Sequence, residues 1–146
     1  MRNTKLHNVR MNRVYKWYLR MHNCKFRFVS KLIEIFVRVI FSCDIPYQVI
    51  IGKNCKFAHN ALGVVIHPEV VIGDNCVIGQ NVTIGGRAGK SIVPKIGNDV
   101  LIGANALILG PVNIGSGAKI GAGAIVVKDI PQNAVVIPEA SKVIIK

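Results

Sequence analysis

The chain has 146 residues, 51% hydrophobic and 18% charged, a balance that supports one packed domain and excludes intrinsic disorder. Its net charge of +12 is lopsided. Residues 1–43 carry ten Lys/Arg against a single acid, Glu34, for a net +9, whereas residues 44–146 carry nine against six, for +3, so the positive field belongs to the head.

That head reads as a basic, amphipathic, helical segment (1–43). From Met11 the residues Val14, Trp17, Tyr18 and Met21 fall at helical spacing, with Arg13, Lys16 and Arg20 opposite. A second run, about Ser30–Ser42, sets Leu32, Ile35, Phe36, Val39 and Ile40 against a polar stripe of Lys31, Glu34 and Arg38. Both helices are expected to cap the open end of the domain that follows. The stretch Leu32–Ser42, broken by Glu34 and Arg38, is too short to span a bilayer and lies too far along for a secretory leader. The basic, aromatic-studded surface (Arg13, Lys16, Trp17, Tyr18, Arg20, Lys25, Phe26, Arg27) leaves two readings open. One is a cap with a solvated basic face; the other is peripheral contact with anionic lipid at the inner face of the membrane. The same charge attracts nucleic acid, but no nucleic-acid motif accompanies it, and none is expected as a partner.

Residues 44–146 carry a period of six. Its beats fall on Ile72, Ile78, Ile84, Ile96, Ile102, Ile108, Ile114, Ile120 and Val126. Gly follows directly at 73, 79, 85, 97, 103, 115 and 121, and a small residue sits four after most beats, as at Cys76, Val82, Ala106 and Ala118. Six matches neither a helix nor simple strand alternation. It predicts an all-β fold, a left-handed parallel β-helix with three hexads per coil and a short helical N-terminal cap. Each Ile points inward, each small residue fits a corner, and residues about eighteen apart stack at ~4.8 Å. Cys55 and Cys76 take small corner slots, and the four cysteines (24, 43, 55, 76) show no metal spacing. A reduced, cytoplasmic chain is therefore expected.

Two interruptions stand out. Phe57 and Ile66 are nine apart, so three extra residues around His59–Gly63 must bulge outward. Between Ile84 and Ile96 the run from Gly85 to Ser91 is too polar for a clean side and is expected to lift off as an arm. The repeats are expected to end over Val126–Ile130, with Pro131 and Pro138 marking a tail along the last coil.

Residues 44–146 resemble the serine acetyltransferase branch of the hexapeptide acyltransferases and the related surface-polysaccharide O-acetyltransferases. The resemblance is carried by Asp44-Ile45, His59 followed by Gly63-Val64-Val65, Gln80 to Gly86, Gly89-Lys90-Ser91, Pro94-Lys95-Ile96 and Ile102 to Ala106. It implies a homotrimeric enzyme that transfers acetyl from acetyl-CoA, as co-substrate, to a hydroxyl, without a metal. The family's catalytic His matches His59 and its orienting Asp matches Asp44, fifteen residues upstream. A coil less half a side separates them, so they can meet on adjacent turns, where the carboxylate would fix the imidazole tautomer and free the other nitrogen as base. The match also implies that the pantetheine arm lies between subunits along Gly85, Gly86, Gly103, Ala104, Gly121 and Ala122, with Lys128 as a phosphate contact. Backbone N–H groups near Gly85-Gly86 are the expected oxyanion donors. His67 is expected to have a structural or rim role.

The departures bear on the acceptor. Serine acetyltransferases carry Asp before the catalytic His, where this chain has Ala58, and an Arg-His pair where it has Ile92-Val93. An apolar pair cannot grip a carboxylate, so a sugar hydroxyl stands at least level with serine. Two rival classes are a non-catalytic β-helical scaffold and a metal-dependent hydratase of the same fold. The hydratase needs three converging His, and only His59 and His67 lie in the coil.

Overall fold

The computed structural model describes residues 27–139; the helix expected over Met11–Met21 lies outside them. One helix, α1 (Arg27–Phe41), precedes thirteen short strands. They stack in parallel into three flat sides. Side A holds β3 (Val65–Ile66), β6 (Thr83–Gly85), β9 (Leu107–Leu109) and β12 (Ile125–Val126). Side B holds β1 (Ile50–Ile51), β4 (Val71–Ile72), β7 (Lys95–Ile96) and β10 (Asn113–Ile114). Side C holds β2 (Lys56–Phe57), β5 (Val77–Ile78), β8 (Leu101–Ile102), β11 (Lys119–Ile120) and β13 (Val135–Val136). This is the left-handed parallel β-helix that the period of six predicts.

The physical basis is the two-residue strand. Its first residue points out and its second, the beat, points in, as in the exposed–buried pairs of β5, β8 and β11. Ile66, Ile72, Ile78, Ile84, Ile102, Ile108 and Ile120 are all fully buried and form the axial column. Each contributes ~1.5–3 kcal/mol of apolar transfer. At every corner but that of Gly85, Gly after the beat is demanded by stacking: a Cβ on Gly103 would meet the Ala122 nitrogen at 2.5 Å, and one on Gly79 the Ala104 nitrogen at 2.6 Å.

Register shows where the two interruptions go. Leu101 pairs with Lys119, eighteen on, but Lys56 pairs with Val77 and Val65 with Asp44, both twenty-one apart. Thr83 pairs with Leu107, twenty-four apart, because the arm between β6 and β7 consumes one further hexad. In the arm, Arg87 and Lys90 pair across a tight turn, with Gly89 at φ +76.

The tail lies along the last coil: Ile130 pairs with Ile114 and β13 pairs with β11, at a spacing shortened from eighteen to sixteen where the repeats end. One expectation is corrected. The helix α1 does close the first turn, but through Val37 and Phe41, which pack on the core. The stripe expected to be buried, Leu32, Ile35, Phe36, Val39 and Ile40, faces outward.

Candidate active site

The nine-residue interval between Phe57 and Ile66 is a loop at the edge where side C turns into side A. Its residues His59, Asn60 and Ala61 take φ of 49°, 57° and 63°. The left-handed region costs an ordinary residue such as Ala61 ~1–2 kcal/mol and His59 and Asn60 less, so three in a row still store strain. Such strain persists only where surrounding structure enforces it, and it concentrates at functional positions. The loop is enforced by hydrogen bonds. The Leu62 N–H donates to the His59 carbonyl at 3.2 Å and the Val64 N–H to the Ala61 carbonyl at 2.9 Å. The Gly63 N–H reaches back to Ser42 at 2.9 Å. Ala61 is buried as the anchor, while the His59 side chain stands exposed.

Asp44 reaches the same edge from the turn below. Its N–H donates to the Val64 carbonyl at 2.8 Å, and its own carbonyl accepts from the Ile66 N–H at 2.9 Å. The extra residues of the loop put Asp44 in register with Val65 rather than with His59. Its carboxylate pairs instead with Arg38 of α1 at 2.6 Å, and no hydrogen bond joins it to the imidazole. The two residues therefore share one edge on adjacent rungs, with the carboxylate turned toward the helix. Arg38 is a member of this group that sequence reasoning missed, since a polar-stripe Arg carries no signal of a partner six residues on.

The residues expected to hold the thioester fall on two edges. Gly103-Ala104 and Gly121-Ala122 stack on the C–A edge above the His59 loop. Gly85 and Gly86 lie at the far end of side A, on the A–B edge, where a Cβ on Gly85 would come no nearer than 4.0 Å to the His67 Cβ. Lys128, exposed, follows β12 toward that same edge. One flat side of roughly 15 Å, at ~3.3 Å per residue, separates the two groups within a chain.

The glycines also differ in why they are glycine. Gly103 and Gly121 are required by packing, since a Cβ on Gly121 would lie 2.8 Å from the Val136 carbonyl oxygen. Gly86 has open space around it and Gly85 only ordinary contact, and neither has a positive φ. Nothing in the fold demands glycine at 85 and 86, which leaves a bare backbone facing solvent. The Nδ1 of His67 accepts from the Glu69 N–H at 3.2 Å. Val93 and Pro94 are buried and Ile92 is exposed, so the apolar pair closes the arm onto the coil with one side chain turned out. Among the described residues no three His, Cys, Asp or Glu converge to hold a metal ion.

Comparison with known proteins agrees with this architecture. The family described as bacterial transferase hexapeptide (six repeats) matches residues 94–128, and the hexapeptide repeat of succinyl-transferase matches residues 69–92. The serine acetyltransferase of Mycobacterium tuberculosis is 38% identical over 120 residues, covering 81% of this chain and 52% of that protein. WcaB of Escherichia coli, named for colanic acid biosynthesis and acetyl transfer, is 37% identical over 114 residues, covering 75% of this chain and 70% of its own length. Among solved structures, serine acetyltransferase isoform 3 of Entamoeba histolytica, in complex with cysteine, superposes with a TM-score of 0.82 at 28% identity, over 98% of this chain and 52% of that one. A serine acetyltransferase in complex with CoA superposes at 0.77 with 32% identity, over 89% and 53%. The chain thus spans about half the length of these three serine acetyltransferases.

Proposed function

Because this chain belongs to the hexapeptide-repeat acyltransferases, the family of serine acetyltransferase and WcaB, we propose that it is an acetyl-CoA-dependent O-acetyltransferase with His59 as its general base. The observation that carries this reading is the left-handed run His59-Asn60-Ala61, a strained loop whose one exposed titratable group is an imidazole. An alcohol is a weak nucleophile until its proton is removed, and a positioned base supplies ~10²–10⁴ in rate. The imidazole takes the acceptor hydroxyl's proton as that oxygen attacks the thioester carbonyl; CoA thiolate then leaves and recovers the proton. Asp44 orients the imidazole from the rung below, after its carboxylate is released from Arg38.

The working unit is a trimer with its sites between subunits. Side A presents Val65, Thr83, Leu107 and Ile125 outward, a column without charge, whereas the outward columns of sides B and C include Lys95, Lys56 and Lys119. Burying side A against a neighbour brings one subunit's His59 edge toward the next subunit's Gly85-Gly86 edge, which reunites the two halves of the site. The pantetheine arm would then lie along bare backbone, with Lys128 near the phosphates.

For the acceptor, the apolar Ile92-Val93 and the neutral Ala58 favour a sugar hydroxyl over serine, because neither can pair with an amino acid's charged ends. The proposed setting is the cytoplasm, where acetyl-CoA is made. The experiment is a thiol-release assay with acetyl-CoA against serine and a panel of sugars and nucleotide-sugars, run on the wild type and His59→Ala. Turnover of a sugar by the wild type, with loss of turnover but retained CoA binding in the variant, is the expected result. An unchanged kcat in His59→Ala sinks the assignment of the base, and robust turnover of serine alone sinks the sugar reading.

A further inference from the structure

The helix α1 meets the coil through Val37 and Phe41 and is fastened near its end by the Arg38–Asp44 pair. These contacts fix its rotation. The face left outward is apolar: Leu32, Ile35, Phe36, Val39 and Ile40 follow i, i+3, i+4, i+7 and i+8, and all are more than half exposed, Val39 at 71%. Single exposed apolar residues need no explanation, but five large ones in one contiguous stripe mark a surface that something covers.

We propose that this stripe seats the protein on an anionic lipid membrane, with α1 lying in the headgroup layer. Length decides between lying on and passing through. Fifteen residues make a helix of ~22 Å, short of the ~30 Å hydrocarbon core. No helix among the described residues is long and apolar enough to cross a membrane. Charge decides between lipid and a second copy of the chain. Residues 1–43 carry a net +9, which an anionic leaflet complements, whereas pairing the stripe with that of another copy would bring two such segments together. Arg38 lies on the polar side of the same helix, the arrangement of helices that rest at an interface. The seat also has a bearing on the site: Ser42, directly after α1, accepts from the Gly63 N–H of the His59 loop. A membrane-bound helix therefore holds the imidazole about one rung, ~4.8 Å of coil rise, from its own end. The inference stands independently of the acetyl-transfer reading.

The test is sedimentation of the full-length protein with vesicles of phosphatidylcholine alone or with added phosphatidylglycerol, at low and moderate salt. Binding to the anionic vesicles should exceed binding to neutral ones by ~tenfold or more and should weaken with salt. The variant Phe36→Asp/Val39→Asp should lose ~tenfold or more of that binding while keeping the wild-type circular dichroism and oligomer size. If the variant misfolds, hydrogen exchange on the wild type decides, with slower exchange over 27–41 expected once anionic vesicles are added. Absence of phosphatidylglycerol-dependent pelleting, or unchanged exchange, overturns the proposal. So does a folded variant that binds vesicles as well as the wild type, or one whose oligomer falls apart, which would assign the stripe to a second copy. Retention on DNA without retention on vesicles would assign the charge to nucleic acid instead.

Discussion

The guanidinium of Arg38 lies 2.6 Å from the carboxylate of Asp44, tying the helix that closes the coil to the residue proposed to steer the base. Both side chains are more than a third exposed, at 59% and 39%, so solvent screens the pair and its stabilisation is slight, ~0–1 kcal/mol. In the proposed mechanism the pair matters more for turnover, because it would compete with the imidazole for one carboxylate. Arg38→Gln is expected to leave Tm nearly unchanged and to raise kcat. Asp44→Asn should lower kcat by ~10²-fold or more, with CoA affinity retained. Thermal melts and steady-state kinetics on the two variants check this, and a fall in kcat for Arg38→Gln would contradict the competition.

Gly63 closes the His59 loop at φ +67, and a Cβ there would run into the Asn81 side-chain oxygen. Gly63→Ala therefore meets both a backbone and a steric penalty, ~1–3 kcal/mol in all. Because Gly63 also donates to Ser42, relief of the clash must shift the loop that carries His59. Loss of kcat beyond the loss of stability is expected, read from denaturant midpoints beside single-turnover rates.

The corners of the coil yield a third prediction. Asn54, Asn75 and Asp99 on one edge, and Asn81 and Asn105 on another, all take φ near +57° and link vertically through side-chain hydrogen bonds of 3.0–3.2 Å. Asn tolerates this region and bonds along the stack, Gly tolerates it without bonding, and Ala does neither. Asn105→Ala should cost ~1–2 kcal/mol and Asn105→Gly about half that or less. Equal losses in urea unfolding would mean that backbone conformation plays no part.

These ladders show where reading the sequence stopped. Ile beats were legible because each is buried on the same axis, so one repeated demand writes one repeated residue. Corner glycines were legible for the same reason, all but Gly85 facing backbone on the next rung. The Asn positions are equally periodic, three residues after a beat at Asn75, Asn81, Asp99 and Asn105, but Asn is common on any surface and its left-handed φ leaves no mark in composition. The His59 bulge announced itself by breaking the count. The orientation of α1 did not, because an apolar stripe reads the same whether it faces the coil or solvent. Only the coil decides that Val37 and Phe41 are the contacts.

Cys43 links the first turn to pH. Burial, reinforced by the neighbouring Asp44 carboxylate, pushes its thiol up from 9.0 to about 11. The folded chain then keeps a proton that the unfolded chain gives up, so this contribution is fully present below pH 9 and is lost as pH rises toward 11. The loss is at most about 3 kcal/mol. Cys43→Ala should flatten this part of the profile of urea midpoints against pH, and an unchanged slope would place the titration elsewhere.

The last prediction concerns the division of the site. His59 stands on the C–A edge, while Gly85 and Gly86, which packing does not require to be glycine, stand on the A–B edge. A single chain cannot bring a thioester lying along one edge to a base on the other across a flat side of β-strand. The uncharged column on side A ends at Ile125, 65% exposed in the isolated chain. Ile125→Arg places a charge where two subunits would bury it, at a cost of several kcal/mol for an unpaired ion, while the inward-facing Val126 and the axial column stay intact. The variant should therefore fold with a wild-type circular dichroism spectrum, sediment as a monomer, and lose acetyl transfer by ~10²-fold or more despite an untouched His59. An active monomer would show that one chain holds a complete site, and the pairing of edges across subunits would have to be abandoned.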